Sequence, residues 1–80
     1  MTHTIKIRTE YYDAVLAGRK KFELRRDDRF FQEGDSVILE EWNAPEEKYT
    51  GRWQQVEISY VLRDCPEYGL MPGFCIFGWR

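Results

Sequence analysis

The sequence predicts a mainly β fold of the α+β kind: five short strands curled into a small barrel-like sheet, with one short helix after the first strand. Three observations carry this. Apolar and polar residues alternate through several short stretches, the period of a half-buried strand. Ile, Val, Phe, Tyr and Trp together outweigh Leu, a bias towards strands over helices. A single stretch, directly after the first strand, repeats its apolar residues at helical spacing.

Thr4 to Arg8 (TIKIR) opens the alternation, with Ile5 and Ile7 on one face. Thr9 is placed to cap the helix, and Glu10 and Asp13 fall in or near its first turn, where the dipole favours acids. Tyr12, Val15 and Leu16 form its apolar stripe and Gly18 its C′ residue. So short a helix must dock on the sheet to persist. Lys21 to Arg26 alternates again, and the pattern turns Phe22 and Leu24 inward and Lys21, Glu23 and Arg25 outward. Asp27–Asp28 reads as a turn, and Ser36 to Trp42 (SVILEEW) as the third strand after Gly34–Asp35.

Asn43 to Gly51 is a hairpin loop rich in turn formers, and Gln54 to Leu62 is the longest strand. Asp64 to Pro72 is a loop. Gly73 to Trp79 (GFCIFGW), apolar on both faces, predicts a central strand covered on both sides. The expected core is Phe22, Leu24, Val37, Leu39, Val56, Ile58, Tyr60, Phe74 and Ile76.

With 80 residues the chain is read as one domain over 1–80, whose small core leans on its aromatic residues. A formal charge of −2 excludes generic polyanion binding, so any nucleic-acid role needs a local patch and a specific pocket. Cys65 and Cys75 show no CxxC spacing and His3 is the only histidine, so no zinc site, and no other metal or cofactor, is expected. Reduced thiols are favoured over a disulfide. No apolar run reaches membrane-spanning length and no signal-peptide pattern opens the chain, so a soluble, cytoplasmic protein is expected.

One stretch departs from this plain picture. Between Ala17 and Arg29 (AGRKKFELRRDDR), Arg19, Lys20, Lys21, Arg25, Arg26 and Arg29, half of the twelve basic residues, gather about Glu23. Such a cluster forms either a self-neutralising charge ladder or a reader of base edges, in which a carboxylate accepts from exocyclic amines and arginine donates or stacks. Charge pattern alone favours the ladder.

Gly18-Arg19-Lys20-Lys21-Phe22-Glu23-Leu24-Arg25 fits the G-x-K-x-x-E-x-R signature of ASCH domains and resembles that branch of the PUA-like superfamily of small β-barrels. VLAGRK, FELRRDDR, FQEGDSVILEEW and YTGR extend the resemblance over nearly the whole chain, towards the DUF3850 type, small stand-alone domains common in bacteria and phages. The resemblance implies a PUA-like pseudo-barrel with a cleft beside the motif strand that binds RNA or a nucleoside-like ligand. Its motif residues here are Gly18, Lys20, Glu23 and Arg25. Strand parity makes Lys21 the alternative to Lys20, which is preferred because it follows the glycine turn closely enough to swing into the cleft.

Some ASCH-like members resemble amidohydrolases of N4-acetylcytidine with a K-x-x-T pair, and others are proposed ribonucleases. Glu23 stands where that threonine nucleophile belongs, so the sequence leans away from an enzyme; were it one, Lys20 and Glu23 would be its catalytic pair. Binding is expected to use Lys20 or Lys21, Glu23, Arg25 and Arg29, with Trp42 as a stacking face. Arg29 is equally open to anchoring by Asp27 or Asp28, and one of Phe30 and Phe31 belongs in the core. A protein-interaction adaptor is a third reading, which predicts an exposed apolar patch away from the motif.

Overall fold

The computed structural model describes every residue, Met1–Arg80. Its elements are β1 (Thr2–Arg8), α1 (Thr9–Leu16), β2 (Phe22–Arg26), β3 (Ser36–Asn43), β4 (Lys48–Leu62), a 3-10 turn (Pro66–Tyr68) and β5 (Phe74–Trp79). The strands form one mainly antiparallel sheet in the order β1-β3-β4-β5-β2, with β1 and β3 parallel. The predicted mainly β architecture, with five strands and one short helix after the first, is therefore the one observed.

The two edge strands, β1 and β2, face each other without a backbone ladder. Arginines span the gap: Arg25 Nη1 donates to the Lys6 carbonyl at 2.8 Å, and Arg29 Nη1 donates to the Thr4 carbonyl. Unpaired edge carbonyls at i and i+2 thus find side-chain donors, and the sheet becomes a pseudo-barrel with a stapled seam.

Two irregularities in β4 set the curvature. Glu40 pairs with Trp53 and Trp42 with Tyr49, so Thr50, Gly51 and Arg52 bulge opposite Glu41 alone. Gly51 takes φ +93°, a conformation other residues adopt only under strain. Further on, Ile58 pairs with Trp79 but Tyr60 with Gly78, leaving Ser59 as an extra residue.

The core consists of Ile5, Ile7, Tyr12, Phe31, Val37, Leu39, Ile58, Cys75, Phe77 and Trp79, with Val15, Val56 and Val61 packed against it. Val37, Leu39 and Ile58 were expected there; Val56 is half-buried. The Ser59 bulge reverses side-chain parity, so Tyr60 and Leu62 point outward and Val61 inward. On β5 the inward set is Cys75, Phe77 and Trp79, while Phe74 and Ile76 are only half-buried; this interior strand is covered on one side, not both.

The largest correction concerns β2. Phe22 and Leu24 are more than half exposed, and Glu23 is buried at 9 %. Register explains the inversion: Glu23 lies opposite Phe77 and Arg25 opposite Cys75, and antiparallel partners share a face. Once Phe77 and Cys75 fill the core, Glu23 and Arg25 must follow them inward.

Candidate functional site: a cationic cleft beside the motif strand

The site begins at the end of α1. Ala17 is the C-cap and Gly18 adopts φ +77°. The Gly18 N–H donates to the Val15 carbonyl at 3.0 Å and the Arg19 N–H to the Ala14 carbonyl at 2.9 Å, the paired bonds of a Schellman turn. The predicted C′ glycine is thus observed, whereas Thr9 is not the N-cap: Arg8 holds that position and the Thr9 hydroxyl donates to the Trp42 carbonyl. The turn aims Lys20 back beneath the helix.

Lys20 Nζ donates to the Phe22 carbonyl and to Glu23 Oε1, and lies 5.0 Å from the Phe22 ring, 5.8 Å from Tyr11 and 5.9 Å from Trp79. Arg25 Nη1 donates to the other Glu23 oxygen at 3.3 Å as well as to β1. A buried carboxylate demands such partners, because an unpaired one costs several kcal/mol (order of magnitude) in desolvation. Lys21 is exposed instead, and only its carbonyl is engaged, by the Trp79 N–H at 3.0 Å.

Two adjoining clefts of about 330 Å³ each open along β2. Lys6, Arg8, Lys20, Arg25 and Arg26 line them around the single carboxylate of Glu23, with Tyr11 on one wall and Phe22 on the other. On a chain of net charge −2 this is a local reversal of sign. Such an arrangement pairs an acceptor at the floor with cations and rings at the rim.

Arg29 is exposed and holds the seam through Thr4; Asp27 takes Arg63 instead, Nε to Oδ2 at 2.7 Å. Phe31 is the core member of its pair, against His3 and Phe77, and Phe30 is exposed. Trp42 is brought together with Lys6, whose ammonium sits 4.0 Å over its ring, on the outer face beyond β1 and not in the cleft.

Sequence reasoning missed Lys6, Arg8 and Tyr11. The strand alternation did expose Lys6 and Arg8, but their approach to the motif depends on seam closure, which no local pattern encodes. It also missed a buried clamp. Glu41, 2 % exposed, accepts from Arg52 Nε at 2.7 Å, Arg52 Nη2 at 3.0 Å and the Thr50 hydroxyl at 2.6 Å. Arg52, then Thr50, hold its carboxyl down at about 2. Cys65 and Cys75 are buried free thiols, and burial pushes Cys75 up to about 11. No cluster of His, Cys, Asp and Glu has metal-binding geometry, and no helix is long and apolar enough to cross a membrane.

Comparison with known proteins places the chain in a family. Residues 2–79 match the model of DUF3850, a domain of unknown function. The chain belongs to the DUF3850 family. It is similar to an uncharacterized 12.9 kDa protein in the GpA 3′ region of Escherichia phage P2, with 39 % identity over 59 residues. That alignment covers 74 % of this chain and 52 % of the phage protein, so the DUF3850 chain spans about half the relative's length.

Proposed function

We propose that this DUF3850 chain is a PUA-like domain of the ASCH type that binds RNA, or a modified nucleoside, in the cleft beside β2. The observation that carries the reading is the pairing of a sunken acceptor, Glu23, with a rim of five cations on an otherwise anionic molecule. Phosphate attraction comes from Lys6, Arg8 and Arg26, and a base entering between Tyr11 and Phe22 meets a carboxylate able to accept from its amine or imino N–H. The Lys20–Glu23 and Arg25–Glu23 pairs pre-orient that carboxylate, so little ordering is left to the ligand.

The test is titration at low salt with single-stranded RNA, duplex RNA and a nucleoside panel, using wild type and Glu23→Gln. A ligand held by the carboxylate is expected to weaken by about tenfold or more on Glu23→Gln. Simple phosphate attraction strengthens instead, because a negative charge is removed from the cleft. Absence of binding across the panel refutes the reading. Turnover of an acylated nucleoside or of structured RNA, abolished by both Lys20→Ala and Glu23→Gln, replaces it with the hydrolase reading.

A second reading has its own observation. Tyr60 and Leu62 stand exposed on the outer face of β4, across Ile76 and Gly78 of β5 from Leu24 and Phe22, so this patch adjoins the motif strand and is not away from it. Contiguous exposed apolar patches larger than about a few hundred Å² mark protein-contact sites. An adaptor role predicts partners that tolerate Glu23→Gln and are lost on Tyr60→Ser with Leu62→Ser; the opposite pattern excludes it.

A further inference from the structure

The outer face of β1-β3-β4 differs in character from that apolar patch. The alternation that buries Val37, Leu39 and Glu41 turns Ile38, Glu40 and Trp42 outward. Register sets Trp53 opposite Glu40 and Tyr49 opposite Trp42, and Trp53 is 57 % exposed. Trp is rarely left so open, since its large ring contributes more when buried. Thr4, Ile38, Glu40 and Trp53 enclose a shallow recess of about 240 Å³, with the indole as its apolar wall and a carboxylate and a hydroxyl at its rim.

The cation beside it is fixed. The Lys6 ammonium rests 4.0 Å over Trp42, which Tyr49 supports edge-on at 4.9 Å, and Lys6 lies opposite Glu40 in the β1–β3 register. Lys6 also lines the cleft on the other side of β1. The recess spans β1, β3 and β4, so β1 and β3, at about 4.8 Å per strand, lie between the cleft and Trp53; Lys6 lines the cleft and turns its ammonium over Trp42, while Arg8 lines the cleft but not the recess. The ion pair of Arg8 with Glu10 is exposed and exchanges for a phosphate at little cost.

We propose that Trp53, Glu40, Thr4 and Lys6 form a second nucleotide subsite, so that the ligand is a single-stranded nucleic acid crossing β1 and β3 and not an isolated nucleoside. One base occupies the cleft at Glu23, the backbone passes over Lys6 and Arg8, and a later base stacks on Trp53 with Glu40 accepting from its exocyclic amine. This rests on the RNA-binding reading and extends it by a defined strand. A flat, half-exposed indole inside a polar, charged rim suits a base, whereas a protein partner suits the apolar rows on the β2-β5-β4 part of the outer surface.

The experiment measures affinity against oligonucleotide length, from one to about eight nucleotides, in RNA and DNA series, for wild type, Trp53→Ala, Trp53→Phe, Lys6→Ala and Glu23→Gln. Trp53 is exposed, so its truncation leaves the fold intact, which circular dichroism checks. Beyond the shortest ligands, affinity is expected to rise by about tenfold or more; Trp53→Ala abolishes the rise and Trp53→Phe retains most of it. Lys6→Ala is expected to lower the salt slope by about one unit. The RNA and DNA arms decide whether the 2′-hydroxyl is read.

Affinity independent of length, with Trp53→Ala equal to wild type, overturns the subsite while a Glu23→Gln effect leaves the cleft reading standing. Length-dependent binding that needs Trp53 but ignores Glu23→Gln does the reverse. Concentration-dependent shielding of Trp53 fluorescence without oligonucleotide binding makes the face a protein contact and overturns the proposal, and no binding of any oligonucleotide overturns both readings.

Discussion

Glu41 and Arg52 give the sharpest test of how this small barrel holds its shape, because the two partners of one ion pair sit in unlike surroundings. Glu41 is 2 % exposed and the Arg52 side chain 50 %. Replacing Glu41 by Gln removes the charge but leaves Arg52 free to hydrate, so the loss is that of the charge-assisted bonds alone, about 2 kcal/mol. Replacing Arg52 by Met strands a buried carboxylate with only the hydroxyls of Thr50 and Thr9 beside it, and breaking a buried pair in that direction costs about 3–5 kcal/mol. The total stability of a chain this size is about 4–12 kcal/mol, so either loss is readily measured. The expected order is therefore wild type, Glu41→Gln, Arg52→Met, with Glu41→Gln lowering Tm by about 8–16 °C.

The pH dependence follows from the same pair. Glu41 has its folded pKa depressed from 4.5 to about 2, so its contribution is fully present above about 4.5 and is lost as pH falls towards 2. Wild type is expected to lose stability through that window, and Glu41→Gln, which has no proton to bind there, to lose less. Urea denaturation followed by tryptophan fluorescence at pH 7 and pH 3 reads both effects, provided the m-value stays constant. Equal stabilities for Arg52→Met and Glu41→Gln, or an acid limb in Glu41→Gln as steep as in wild type, refute the assignment of the clamp.

Gly18→Ala places a side chain in open space but at φ +77°, and is expected to cost about 1–2 kcal/mol by calorimetry while weakening ligand binding through displacement of Lys20. Arg29→Ala removes one seam staple remote from Glu23; faster amide exchange on β1 with unchanged cleft affinity is expected, and a loss of affinity alone counts against the staple. Cys75, with its thiol at about 11, is expected to resist alkylation at pH 8 in the folded chain and to react on unfolding; rapid native-state labelling contradicts its burial.

The elements were legible because their signals are local: alternation in β1 and β3, the helical stripe ending at Gly18, and turn formers between β3 and β4. What escaped was parity. From Lys21 to Arg25 the odd positions are charged and the even ones apolar, so hydrophobic pattern alone turns Glu23 out. The register with Phe77 and Cys75 turns it in, and that register is non-local. On β4 a single extra residue, Ser59, carries Tyr60 from the expected core to the surface, and nothing in the local sequence marks a serine as a bulge. The motif was read as a unit because its residues are adjacent in sequence, whereas Lys6, Arg8 and Tyr11 come to it only through the folding of β1 against β2.

Fold and site share their parts at the seam. Arg25 donates to Glu23 and to the Lys6 carbonyl with the same guanidinium nitrogen, and Arg29 performs only the second task. The cationic rim is therefore, in part, the means by which an open sheet closes without a strand ladder. A ligand anion approaching Arg25 competes with a backbone carbonyl as well as with Glu23. Arg25→Ala must then loosen the seam and weaken the cleft together, while Arg25→Lys keeps the charge but lacks the rigid planar guanidinium that holds one nitrogen between both partners. A variant that lost binding and kept β1 protected from exchange would separate the two tasks, and would show that closure of the barrel does not depend on the residue that lines its mouth.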